Sequence, residues 1–207
     1  MGPNPALVIS ECQQGILDPE RSVTPALARQ AAERGIVPRI ARLAEDFRAA
    51  GLPVVHCHIA HRPDLAGLRR NSLLNALAIK RRSMIAGTPD TLAPPELTPR
   101  DGDHVSLRTT GLTAFYGTDL DAVLRLWDVE TLVVTGVSTN VAVPGLSLEA
   151  VNRGYHVRIP DDCVAGTSPE EHEFMMRGLL SAVARITDSE TVRREIAAPV
   201  PDRERKA

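Results

Sequence analysis

Charge imbalance, long apolar runs, internal repeats and paired cysteines are all missing from this 207-residue chain. Its 24 basic and 26 acidic residues leave a net charge of -2, and the only basic runs are Arg69-Arg70 and Lys80-Arg81-Arg82. That pattern supplies no electrostatic footprint for nucleic acid and reads as solvated helix faces. The first apolar run, residues 6–10, is too short for a membrane span or a signal peptide and has no basic segment before it, so no membrane association and a cytoplasmic location are expected. Three cysteines, Cys12, Cys57 and Cys163, show no metal-ligand spacing and cannot all pair, which fits a reducing compartment.

What is present is a core-forming pattern. Hydrophobic residues make up 43% of the sequence, enough for one α/β domain spanning residues 1–207, with a polar tail from about residue 198. Strand-like runs at residues 7–10, 53–58, 131–136 and 156–159 alternate with helical patterns, the mark of crossover units on a parallel sheet. Ile36, Ile40, Leu43 and Phe47 recur at helical spacing before Gly51, which fits a left-handed cap. Leu120, Val123, Leu124 and Trp127 form a second stripe, with Thr118 as its expected N-cap and Trp127 assigned to the core. A last helix over residues 169–183 is expected to turn Phe174, Leu179 and Leu180 inward before a short strand at 184–187. The expected architecture is a Rossmann-like three-layer α/β/α sandwich with a central, mostly parallel sheet. Residues 62–99, rich in Arg, Asn and Pro, suit a lid or an oligomer arm, and a homo-oligomer is expected.

The most informative stretch is Thr135-Gly136-Val137-Ser138-Thr139-Asn140-Val141-Ala142-Val143. A buried strand runs into a turn and then a helix, the place where open parallel sheets carry their sites. With Ala6-Leu7-Val8-Ile9-Ser10-Glu11-Cys12-Gln13, Thr113-Ala114-Phe115-Tyr116-Gly117-Thr118-Asp119-Leu120, Gly154-Tyr155-His156-Val157 and Pro160-Asp161-Asp162, in this order over about residues 5–188, the chain resembles the isochorismatase-like (cysteine hydrolase) superfamily.

The resemblance implies three catalytic positions, and the chain departs from the pattern at each. Family hydrolases use an Asp on the first strand, a Lys before the Phe segment and the Cys of the turn; here Glu11, Arg108 and Ala142 stand in those places. Ala142 cannot form a covalent intermediate. A guanidinium stays charged, so Arg108 is expected to anchor or polarise an anionic substrate rather than shuttle protons. Members that hydrolyse isochorismate are understood to protonate it with the first-strand carboxylic acid and manage without the cysteine, a route still open to Glu11. The resemblance also implies a cis peptide at Val137-Ser138, turning backbone N–H groups of the turn toward an anion or oxyanion. The expectation is therefore a small-molecule hydrolase using Glu11 and no cysteine; the alternatives are a non-catalytic binding or structural homologue, or an amidase with an unrecognised nucleophile.

Strand alternation puts Glu11 and Gln13 on one side and Ser10 and Cys12 on the other, which makes Cys12 a poor replacement thiol. The expected substrate-binding set is Gln13, His56, His58, Phe115, Tyr116, Val137, Ser138 and Thr139. His56, His58 and His61 follow the second strand, and one of the three is expected to line the pocket. Metal-binding relatives have an Asp-x-His pair there; this chain has His-Cys-His, so neither a metal nor another cofactor is expected.

Overall fold

The computed structural model describes residues 2–197, so the expected polar tail from residue 198 lies outside the described residues. The strands are β1 (Pro5–Ser10), β2 (Val54–Ile59), β3 (His104–Arg108), β4 (Thr131–Val137), β5 (His156–Pro160), β6 (Val164–Ala165) and β7 (Arg185–Thr187). They form one sheet in the order β3-β2-β1-β4-β5-β7, with β6 also paired to β4 and every pairing parallel. The helices in chain order are α1 (Gln14–Leu17), α2 (Pro25–Glu33), α3 (Ile36–Ala49), α4 (Leu73–Arg81), α5 (Leu120–Leu126), α6 (Ala142–Asn152), α7 (Pro169–Met175), α8 (Ser181–Val183) and α9 (Ser189–Ala197).

Both sheet faces are covered, which explains why β1, β2 and β4 are buried almost throughout rather than alternating between core and solvent. On one face Ala6, Val8, Val55, Leu132 and Val134 meet Leu120 and Leu124 of α5 and Val143, Leu146 and Ala150 of α6. On the other, Leu7, Ile9 and Val133 meet Leu27 of α2, Val192 of α9 and the Ile36, Ile40, Leu43 and Phe47 stripe of α3. Each Val, Leu, Ile or Phe among them contributes roughly 1.5–3 kcal/mol when fully buried. Gly51 follows α3 at φ 68°, the left-handed cap expected of it. At the centre β1 and β4 approach so closely that a Cβ on Gly136, whose φ is 95°, would strike the Ser10 backbone.

Three local expectations fail. Trp127 is 36% exposed because α5 ends at Leu126; the ring stands edge-on to His104 at 5.9 Å, and Val129 takes the core place instead. Asp119, not Thr118, occupies the N-cap position of α5, and its carboxylate is held from β3 by Ser106 Oγ at 2.9 Å and His104 Nε2 at 3.0 Å. Phe174 is 76% exposed and Leu179 37% exposed, since a π-turn over Met176–Leu180 follows α7 and lets Met176 and Leu180 face the core.

His56 and His58 point into the α3 side of the sheet, their rings 5.7 Å apart. His56 Nε2 meets Asp103 Oδ2 at 3.1 Å, and that carboxylate also accepts from Arg48 at 2.7 Å and from the Arg100 N–H at 2.9 Å. His58 Nε2 has no partner among the described residues. Burial, with His56 alongside, pushes the His58 pKa down to about 4. A histidine buried neutral costs stability as soon as the unfolded chain takes up a proton that the folded one refuses. The contribution of His58 is therefore intact above about pH 6.5 and falls by about 3 kcal/mol on going to pH 4. Urea unfolding at pH 7 and pH 4 is expected to show a smaller acid loss for His58→Leu than for the wild type, and equal losses would contradict the assignment.

Candidate active site at the carboxyl edge of the sheet

The strand-end geometry is set by a kink. β1 stops at Ser10, and Glu11 takes φ 54°, a left-handed conformation that costs a non-glycine residue on the order of 1–3 kcal/mol. Its N–H donates to the Cys57 carbonyl at 2.9 Å. The kink breaks the alternation expected of residues 10–13. Glu11 faces the cavity, whereas Gln13 turns away and ties strand ends together: its Nε2 donates to the Ile59 and Thr91 carbonyls, each at 2.8 Å, and its Oε1 accepts from the Ile59 N–H at 2.7 Å. Gln13 is fully buried and is not among the cavity-lining residues.

Arg108 ends β3, beside Ile59 in register. Its Nη2 donates to Glu11 Oε1 and its Nη1 to the Gly111 carbonyl at 2.9 Å. The pair is nearly dry, with the Arg108 side chain 6% and the Glu11 side chain 15% exposed. Burial raises the Glu11 pKa above its ordinary 4.5, against the lowering effect of the Arg108 charge and hydrogen bond.

β4 leads into the third component. The Val137–Ser138 peptide is cis. The Val143 N–H donates to the Ser138 carbonyl at 3.0 Å, and the Thr139 N–H to the Ala165 carbonyl at 2.9 Å. Thr139 Oγ1 lies 3.4 Å from His172 Nδ1, whose ring bonds Asp161 through Nε2 at 2.9 Å. Thr139 and Val137 are thus buried supports of the turn, while Ser138 and Ala142, the first residue of α6, line the cavity. First-turn amides have no carbonyl partner inside the helix, so this end of α6 presents partial positive charge.

Glu11, Arg108, Ser138 and Ala142 share one cavity of about 280 Å³ with apolar walls from Ile16, Leu27, Leu74, Met84 and Val141. Its covering side comes from the 62–99 segment, where α4 and the turn after it contribute Leu74, Asn75, Ala78, Ser83 and Met84. At another wall Asn140 Nδ2 donates to Glu171 Oε2 at 3.1 Å. One histidine of the three reaches this cavity, and it is His61; His56 is held by Asp103 on the α3 side of β2, with the His58 ring packed edge-on against it. Phe115 is buried against Tyr155, ring centroids 6.2 Å apart, and Tyr116 is 57% exposed; neither is among the lining residues. Sequence reasoning missed Ser83, in the turn after α4, and Glu171, on α7, which only the tertiary fold brings to the turn that carries Asn140. Among the described residues no group of three His, Cys, Asp or Glu side chains is placed to hold a metal ion. No described helix is long and apolar enough to cross a membrane.

A parallel sheet covered on both faces thus sets a strand-to-helix turn beside an acidic residue and a cation at its carboxyl edge. The isochorismatase domain family matches residues 5–191, and the chain belongs to that family. It is 28% identical to the isochorismatase family protein YecD of Escherichia coli, over 90% of this chain and 93% of that one. It is 25% identical to a maleamate amidohydrolase of Pseudomonas putida, over 83% of this chain and 77% of the relative. The crystal structure of an isochorismatase family protein from Desulfovibrio vulgaris superposes with a TM-score of 0.81 at 25% identity, covering 94% of this chain and 99% of that one.

All three cysteines are buried. Burial pushes Cys12 and Cys57 up to about 12, and Cys163 is raised as well. A thiol placed at residue 142 would instead face the cavity at a helix N-terminus, which lowers thiol pKa values. Ala142→Cys is accordingly expected to react with iodoacetamide at least about ten-fold faster than the native cysteines at neutral pH, read by mass spectrometry. Equal labelling would show that residue 142 does not meet an open, electropositive space.

Proposed function

We propose that this chain is a hydrolase of small molecules that works by acid–base chemistry at Glu11, without a cysteine nucleophile. The observation that supports the reading is a nearly dry carboxyl group held against Arg108 on the wall of a cavity, where burial pushes its pKa up. Ala142 stands at the start of α6 where family relatives are expected to carry the thiol, and an alanine there cannot form a covalent intermediate. The buried, high-pKa cysteines argue against a replacement thiol elsewhere.

In this mechanism protonated Glu11 gives its proton to the leaving atom of the substrate as the bond to carbon weakens. Arg108 stabilises the carboxylate that results. A water molecule then adds its oxygen to the electrophilic carbon, and the proton it sheds returns to Glu11. The products are the two halves of the substrate plus the elements of water, and the enzyme is regenerated. In the first turn of α6 the Val143 N–H is taken by the Ser138 carbonyl, the Gly145 N–H by the Val141 carbonyl and Pro144 has none, which leaves the Ala142 N–H to suit an oxygen that gains negative charge. Arg108 is already engaged by Glu11 and the Gly111 carbonyl, so its role shifts from anchoring an anionic substrate to stabilising the acid's conjugate base.

The test is a screen of small carboxamides, N-carbamoyl compounds and vinyl ethers followed by Glu11→Gln. The variant is expected to retain its circular dichroism spectrum and lose at least about a hundred-fold in kcat. The wild-type rate is expected to fall as pH rises through the raised Glu11 pKa, because the acid must enter protonated. A Gln variant with an unchanged rate would remove Glu11 from the chemistry.

A further inference from the structure

Met84 carries a side chain where its backbone would suit glycine. In the turn after α4 it stands at φ 55°, a left-handed conformation that disfavours residues with a Cβ and persists only where the surrounding structure enforces it. The enforcement comes from the sheet. The His61 N–H donates to the Met84 carbonyl at 2.7 Å and the Ala86 N–H to the His61 carbonyl at 2.8 Å, so that His61, just past β2, and Ile85 form a parallel bridge.

The Met84 side chain runs to α1. A Cβ built on Gly15 would lie 2.5 Å from Met84 Sδ, closer than two such atoms approach, so the thioether rests against the bare Gly15 backbone. Met84 and Gly15 both line the cavity, and Met84 is only 6% exposed. The side chain therefore spans from the turn after α4 to α1 along the cavity wall, and the absence of a side chain at Gly15 makes room for it.

Much of the remaining wall is hydrocarbon, from Ile16, Leu27, Leu74, Ala78 and Val141, while Glu11 and Arg108 bond to one another. Such walls favour apolar ligand surface, and a hydroxyl brought among them without a partner is costly. Size is bounded as well. A cavity of about 150 Å³ holds one benzene ring, so two rings end to end ask for about 300 Å³ before any substituent. This cavity measures about 280 Å³, which leaves room for one ring and the group that reacts.

We propose that Met84, braced against Gly15, is the size-limiting residue of the cavity, and that the cavity selects a ligand with a compact apolar body of one ring over longer bodies and over hydroxylated ones. The thioether packs on the ligand body, and its length sets how far that body extends toward α1. The inference rests on the cavity being the substrate site proposed above, but it concerns the fit of the ligand body and not the bond that breaks.

The test is isothermal titration of the full chain at neutral pH with cyclohexanol, with inositol, which is the same ring fully hydroxylated, and with cyclohexylcyclohexanol, two rings end to end. The proteins are the wild type, Met84→Gly and Met176→Ala. Glycine at 84 removes the side chain and accepts the left-handed backbone. Met176, 5% exposed in the core on the α5 and α6 face of the sheet, controls for the loss of a buried methionine away from the cavity. The wild type is expected to bind cyclohexanol at least about ten-fold more tightly than either other probe. Met84→Gly is expected to bind cyclohexylcyclohexanol at least about ten-fold more tightly than the wild type does, and Met176→Ala to bind all three like the wild type. In wild-type protein labelled with carbon-13 at the methionine methyls, cyclohexanol should shift the Met84 resonance, assigned by its loss in Met84→Leu, and leave Met175 and Met176 in place. Inositol bound as tightly as cyclohexanol, no saturable binding of cyclohexanol, a Met84 methyl unmoved by it, or a Met84→Gly variant that discriminates the probes like the wild type would each overturn the proposal. Because binding is the readout, failure of the Glu11 mechanism is seen separately, in the rate of Glu11→Gln.

Discussion

A carboxylic acid and a guanidinium buried against each other at the carboxyl edge of the sheet organise everything around them. Glu11 directly follows β1 and Arg108 ends β3, with β2 between them, so the pair spans three strands of the sheet. A desolvated guanidinium and a carboxyl group hold together only with good geometry and supporting bonds. The supports are visible. The Gly111 carbonyl takes the second arm of Arg108, the Cys57 carbonyl takes the Glu11 N–H, and Gln13 ties β1 to the end of β2. The left-handed turn at Glu11 is the strained element that aims the carboxyl group into the cavity, and the local cost is carried by the packed strands on either side.

That constraint divides the residues near the strand ends into those that hold and those that face the ligand. Gln13, Val137, Thr139 and the His56–Asp103–Arg48 network hold. Glu11, Arg108, Ser138, Ala142 and His61 face the cavity, with α4 and Ser83 across from them. In the proposed reading the helix α6 N-terminus remains a place for developing negative charge, although the thiol that would exploit it in a cysteine hydrolase is absent.

The sheet and its order of elements were legible because their signals are regional. The runs in β1 and β4 are rich in Val, Leu and Ile without a single charge, and the α3 stripe repeats at helical spacing between two glycines. Glu11, Arg108 and Ala142 were legible through motif order, and the structure gathers all three on one cavity. Single-residue orientation was not. The kink at Glu11 cancels the alternation that paired it with Gln13, a π-turn over Met176–Leu180 interrupts the last helical stretch, and α5 stops one residue short of Trp127. Each of these depends on a backbone departure that periodicity does not register. Nothing in the local sequence of Ser83 or Glu171 distinguishes them, since their meaning comes from neighbours distant along the chain.

The central claim is that Glu11 holds its proton beyond the range of an ordinary carboxyl group despite its pairing with Arg108. Carboxyl carbon-13 NMR titration of glutamate-labelled protein, with the Glu11 resonance assigned by its loss in Glu11→Gln, measures this directly. The account predicts a midpoint clearly above 4.5. A midpoint at or below that value would mean that the Arg108 charge outweighs burial, leaving a structural ion pair and no acid.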